Sequence, residues 1–314
     1  MPKKRLAAVT ALVVVVASAS AVASVTASAK PGRAQSSVKL GFITKFPVDF
    51  YFTLVGGAKS WQKTHTNVTV MYGQGKAATD DAGEIAAIQD MVAAGVKGIA
   101  ITPTSAAVIP ALNKAVKAGV KIVLMDNDLP TWKLKSSVVA TNNLKGGTLA
   151  GAFLAGKLKA GDSLGILEGV PGVPALDDRV TGMLQGLGTL KSQIKIVSKL
   201  ETDCDQTKGA AAAQTMLTAN PNLTAIYSAC GPPALGAIQS IKNAGAKGIL
   251  LVGFDGLTDE VTAIKAGTET ASVAQHPAKI GSLGIATLYA AVQGKKVAKN
   301  VDTGTSLITA ANAK

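Results

Sequence analysis

The chain has 314 residues, 47% of them hydrophobic, 16% charged and 4% aromatic, with a formal net charge of +13 and two cysteines. These figures exclude a wholly disordered chain and a disulfide-stapled miniature. The charge points toward nucleic acid or a membrane surface. However, only Arg5, Arg33 and Arg179 are arginines and no lysine block reaches five, so the bidentate cations of base readout are scarce and no nucleic-acid partner is expected.

The chain opens with Lys3, Lys4 and Arg5, then an apolar run from Leu6 to Val25, then Ala27-Ser28-Ala29. Basic, apolar and small residues in that order read as an export signal cleaved after Ala29, residues 1–29, followed by a polar lead, residues 30–37. The run is near the length of a membrane span, but its Ala and Ser content makes it a weak one. No cysteine lies near the cleavage site for lipid attachment. The expected product is exported, to the periplasm or the cell-envelope space.

From Val38 the chain alternates strands and helices. Val38 to Ile43 is a strand stopping at Thr44, Phe50 to His65 a helix, and Asn67 to Tyr72 a strand. Asp80 to Ala94 has helical apolar spacing (Ile85, Ile88, Met91, Val92) and ends at Gly95. Gly98 to Thr102 is a strand, Ser105 caps the helix running to Ala118, and Lys121 to Met125 is a strand ending at Asp126. The rhythm then restarts. Strands at Ser163–Leu167, Ile194–Leu200, Ala225–Ser228 and Ile249–Phe254 alternate with helices at Asn143–Leu158, Asp177–Leu190, Thr207–Ala219 and Pro232–Ala244. A strand (Thr270–Ala274), a helix (Ala278–Gly294) and a strand (Ser306–Thr309) close the chain. The prediction is an α/β protein with two similar halves, each a parallel sheet covered by helices on both faces.

Open α/β sheets bind ligands at the carboxyl ends of their strands. Here those positions hold Thr44 and Lys45, Thr102, Asp126 and Asn127, Cys230, Asp255 and Gln275, with Phe50, Tyr51 and Asp177 in nearby loops. Polar residues converging from both halves imply a cleft between two lobes.

Certain blocks carry a resemblance: Asp90-Met91-Val92-Ala93-Ala94-Gly95-Val96-Lys97-Gly98-Ile99, Gly119 to Asp126, and Val252-Gly253-Phe254-Asp255-Gly256, with Asn142-Asn143, Gly146-Gly147 and Ala274-Gln275-His276-Pro277. In this order they resemble the type I periplasmic solute-binding proteins of ABC transporters, in the ribose-binding branch. The resemblance implies two Rossmann-like lobes joined by a three-stranded hinge, residues 38–141 plus 276–303 and residues 142–275 plus 304–314. It implies that Phe50 and Tyr51 pack on a sugar ring, that Asp126 and Asp255 accept from hydroxyls, and that Thr44, Lys45, Thr102 and Gln275 complete the polar contacts. Helix-face packing for the aromatics and capping for the aspartates are the alternatives open to the residues alone.

The departures from that branch matter. Asn127 and Asp177 stand where ribose binders place arginines, Arg179 falls two residues later with no role assigned, and Cys204 and Cys230 replace an aromatic and an asparagine. Lys45 with Asp126 and Asp177 is similar to the branch that binds the furanosyl signal autoinducer-2. The expected ligand is a small polyhydroxylated molecule, a pentose, hexose or cyclic polyol. Acids outnumber cations among these positions, which admits an amino-bearing sugar. The resemblance sets both cysteines in second-lobe loops beside the cleft. Export makes a Cys204–Cys230 disulfide the expectation, with two buried free thiols as the alternative.

Gly73-Gln74-Gly75-Lys76-Ala77-Ala78 mimics a dinucleotide fingerprint without its acidic partner, and the two histidines have no metal-ligand spacing. No cofactor, metal or enzyme activity is expected. A LacI-type regulator shares the fold but carries a helix-turn-helix where this chain has its export signal. The implied role is a monomeric binding component that closes on its ligand and delivers it to an ABC permease with its ATPase subunits.

Overall fold

The computed structural model describes Met1 and residues 37–314. The expected export signal, apart from Met1, lies outside the described residues. The elements run β1 (Val38–Thr44), α1 (Asp49–Lys63), β2 (Val68–Gln74), α2 (Asp81–Ala93), β3 (Gly98–Ile101), α3 (Ile109–Lys117), β4 (Lys121–Met125) and β5 (Ser137–Ala140). They continue as α4 (Asn143–Ala155), β6 (Ser163–Glu168), α5 (Pro174–Gly186), β7 (Lys195–Glu201), α6 (Gln206–Ala219), β8 (Ala225–Ser228), α7 (Gly231–Asn243) and β9 (Leu250–Asp255). The chain ends with α8 (Thr258–Ala266), β10 (Ala271–Ala274), α9 (Pro277–Val292), β11 (Asn300–Asp302) and β12 (Ser306–Thr309).

Two six-stranded sheets form, in the orders β11-β5-β4-β3-β1-β2 and β12-β10-β9-β8-β6-β7. The first is parallel throughout. The second is parallel except for β12, which pairs antiparallel with β10. Sequence reasoning missed β5 and β11. At four and three residues they are too short to show a period, and Asn300-Val301-Asp302 offers one apolar side chain.

Period-2 alternation splits each sheet's apolar residues between two faces. In the first sheet Ile99, Ile101, Ile122 and Leu124 enter one core, while Leu40, Phe42, Ala100, Val123 and Met125 enter the other. In the second, Leu164, Ile166, Tyr227 and Phe254 oppose Leu167, Ile226 and Leu251. Burial on both faces is what helices on both sides of a parallel sheet require.

Local chemistry sets the helix ends. Asp80 accepts from the Gly83 amide at 3.0 Å, and Asn142 accepts from the Lys145 amide at 3.0 Å. Between α4 and α5, any side chain at Gly147 or Gly151 would strike the carbonyls of Arg179 and Met183. Any side chain at Gly182 or Gly186 would strike those of Leu144 and Thr148. Four glycines at helical spacing thus bring the two backbones into contact, and α5 is seated on α4 with little freedom to shift.

The chain passes between the sheets three times: from β5 to α4, from β10 to α9 (which packs on the first sheet and on α1), and from β11 to β12. Thr141, Gln275 and Thr303, one at each passage, are all buried.

Candidate functional site

In both sheets the fourth strand from the β2 or β7 edge ends in an aspartate. Asp126 follows β4 and Asp255 ends β9, at φ of 63° and 104°. A non-glycine residue at positive φ is held there against its own preference, typically at a cost of about 1–3 kcal/mol. Asp126 takes this conformation while its amide donates to the Val139 carbonyl at 3.0 Å. The bend turns each carboxylate out of its strand and over the sheet end.

A cavity of about 650 Å³, counted to its open mouth, lies at these strand ends and takes lining residues from both lobes. From the first lobe come Lys45, Phe50, Tyr51, Asp126 and Asn127. Tyr51 packs edge-on against Phe50 and Phe46, at ring distances of 5.2 and 5.3 Å, and its hydroxyl donates to Asp126 Oδ2 at 3.1 Å. Asn127 spends its amide on the Pro103 carbonyl at 3.3 Å. Lys45 is only 5% exposed and has no salt-bridge partner among the described residues. Burial pulls its pKa down, against the attraction of Asp126 and Glu84. Burial likewise pushes Asp126 up, opposed by Arg179 and Lys45, and burial with the adjacent Asp126 pushes Tyr51 well up.

From the second lobe and its crossover come Arg179, Cys230, Asp255 and Gln275. Asp255 is fully engaged. Its Oδ1 accepts from Arg179 Nη1 at 3.1 Å and Gln275 Nε2 at 2.7 Å, and its Oδ2 accepts from the Gly231 amide at 3.0 Å. Arg179, 4% exposed, also donates from Nε to Asn143 Oδ1 at 2.9 Å and from Nη1 to the Ala229 carbonyl at 2.8 Å. Its guanidinium lies 4.0 Å from the Phe254 ring centre. Gln275 Oε1 is buried with no hydrogen-bond partner.

Cys204 and Cys230 form a disulfide, and both line the cavity. Behind the second lobe's wall, Glu260 accepts from the Leu257 amide and Ser272 Oγ, both at 2.8 Å, with Glu269 beside it. Burial pushes Glu269 up to about 8, while burial and the charges of Glu269 and Asp255 drive Glu260 well above the usual carboxylate range. In the first lobe, away from the cavity, Glu84 is the one buried glutamate among the described residues. It accepts from the Thr104 amide at 2.7 Å and Thr104 Oγ1 at 2.6 Å, yet burial still carries it to about 7.

Three expected positions lie elsewhere. Thr44 is buried and accepts from Gln74 Nε2 at 3.1 Å. Thr102 is buried with its hydroxyl unpartnered, and neither threonine lines the cavity. Asp177 is exposed and accepts from the Gly172 amide at 3.3 Å. The inner face of α5 carries Ala175, Arg179, Gly182 and Met183. Two residues from Ala175 or Arg179 is about 200° of rotation, so Asp177 points away. Arg179, to which the sequence assigned no role, enters the cavity instead. The expected excess of acid persists, narrowly: Asp126, Asp255 and the exposed Asp49 line the cavity against Lys45 and Arg179. The apolar residues Val170 and Leu257 from loops, Leu176 from the first turn of α5 and Pro232 from the first turn of α7 also line the cavity, and no motif announced them.

A family model described as a periplasmic binding protein domain matches residues 40–296. The chain belongs to the periplasmic binding protein family. It is 34% identical to the ribose import binding protein of Bacillus subtilis over 234 residues, 74% of this chain and 75% of that protein. It is 32% identical to the D-ribose/D-allose-binding protein of Pseudomonas aeruginosa over 274 residues, 83% of this chain and 85% of the relative. Among solved structures, an ABC transporter solute-binding protein from Burkholderia graminis in complex with D-arabinose superposes with a TM-score of 0.83 at 26% identity. The match covers 88% of this chain and 97% of that one. This binding protein thus has the fold of a sugar-liganded relative.

Proposed function

We propose that the chain is the exported ligand-capturing component of an ABC importer, taking one small neutral polyhydroxylated molecule, a pentose, hexose or polyol. The observation that carries this reading is the cavity itself. Strand ends of both lobes face it, and each lobe supplies one strand-end aspartate and one buried cation. With Asp49 exposed to solvent, Lys45 and Arg179 against the two strand-end aspartates suit an uncharged ligand bearing both donors and acceptors. Lys45 donates to ligand oxygens, Asp126 accepts from hydroxyls, Gln275 offers its unpartnered Oε1, and Phe50 and Tyr51 lie against the ring. The names of the ribose-, allose- and arabinose-binding relatives support the sugar class.

The lobes, residues 38–141 plus 276–303 and 142–275 plus 304–314, rotate about Thr141, Gln275 and Thr303. Ligand touching both lobes favours the closed population. The closed form docks as a monomer on a permease whose ATPase subunits drive import, and this chain itself catalyses nothing. Thermal-shift screening of neutral sugars and polyols, followed by solution scattering, tests the reading. The expected result is stabilisation by one sugar class with a smaller radius of gyration at saturation. Stabilisation by amino acids or peptides alone would sink it.

A further inference from the structure

The cavity is divided in chemistry, and the division selects a ligand. Lys45, Asp126, Arg179, Asp255 and Gln275 form a polar edge. The rest of the second lobe's lining is hydrocarbon and sulfur: Val170, Leu176, Pro232, Leu257 and the Cys204–Cys230 bridge. These pieces brace one another. Leu176 Cδ1 and Cys204 Sγ both crowd Gly169, at 2.5 and 3.0 Å from where a Cβ would stand. Leu257 Cδ1 lies 2.7 Å from the same point on Gly231, the residue after Cys230. Asp177, the nearby carboxylate that could have broken this surface, faces solvent.

A hydroxyl pressed against such a wall loses its water and gains no partner, which weakens binding about ten- to a hundredfold. A methyl group in the same place removes apolar surface from water on both sides. Resting on the sugar-binding reading, we propose that the ligand is a 6-deoxy monosaccharide. Its ring hydroxyls meet the polar edge and its methyl group meets the wall of Leu176, Leu257 and the disulfide.

Calorimetric titration with matched pairs tests this: D-fucose against D-galactose, L-fucose against L-galactose, L-rhamnose against L-mannose, and 6-deoxy-D-glucose against D-glucose, with D-ribose and D-arabinose alongside. In the stereochemical series that binds, the deoxy member should be tighter by about tenfold or more. Equal or tighter binding by the hydroxylated partner or by a pentose overturns the inference and leaves the sugar-binding reading standing. Silence from every sugar removes both. Leu257→Asn and Leu176→Asn give each hydroxylated partner something to bond, so the preference should collapse or reverse in whichever variant retains a cooperative melt. A preference unchanged in a folded variant of either kind shows that the wall does not set it.

Discussion

Asp126 and Asp255 occupy the same place in their respective sheets and share a positive φ, yet the two lobes equip them oppositely. Asp255 has three protein donors: a guanidinium, a side-chain amide and a backbone amide. Asp126 has one, the Tyr51 hydroxyl, and its Oδ1 is left with no bond to the protein among the described residues. An acceptor whose lone pairs are already engaged holds structure together, whereas one left open takes a ligand. The second lobe therefore uses its aspartate as a tie between α5, α7 and the β10 crossover. On the proposed reading, the first lobe leaves its aspartate open to the ligand.

The largest effect should come from breaking that tie. Arg179→Met strands a nearly buried Asp255 carboxylate, and loss of about 3–5 kcal/mol of unfolding free energy is expected in urea titrations. An unchanged midpoint would erase the distinction between the lobes. Next comes the acidic pair behind the same wall. Below a pH of about 4.5 the unfolded and folded chains both hold these protons, and burial carries no charge penalty. As pH rises the unfolded chain ionises first, so the folded state loses stability progressively until pH passes Glu269's value of about 8. Melting temperature should fall across that window, and Glu269→Gln should flatten the fall. If Glu84→Gln flattened it instead, the first lobe would be the pH-sensitive half.

Asp126→Asn should act in the other direction, weakening ligand affinity by about 1–3 kcal/mol while leaving the urea midpoint near that of the parent. Equal damage to stability and affinity would show that this aspartate, too, is a structural tie. Smallest is Tyr51→Phe, which removes the only side-chain donor to the Asp126 carboxylate among the described residues. A loss of about 0.5–1.5 kcal/mol in binding is expected by calorimetry.

Much of this was readable before the coordinates. The βα rhythm gave the sheets because parallel strands buried on both faces are near-continuous apolar runs such as Gly98–Ile101. The strand-end rule led directly to Lys45, Asp126, Asp255 and Gln275, and two cysteines leave one internal pairing. Other features needed the third dimension. Which side of α5 faces inward depends on how four glycines seat it against α4, so Arg179 and Asp177 could not be told apart from sequence. Strands β5 and β11 hold each other in place, and neither shows a pattern alone. The apolar wall is assembled from residues scattered between Val170 and Leu257, in loops and in the first turns of α5 and α7, each ordinary where it stands.

The three passages between the sheets also govern the order of assembly. Asn300 pairs with Val138, so the edge of the first sheet cannot close until almost the whole chain is available, and α9 reaches α1 equally late. Residues 142–275 carry five of the second sheet's six strands in one continuous stretch. The lobe that starts the chain is therefore the one that must wait. Its early strands stay exposed while the later lobe gathers, a high-contact-order arrangement that slows folding and keeps the nascent chain open for longer.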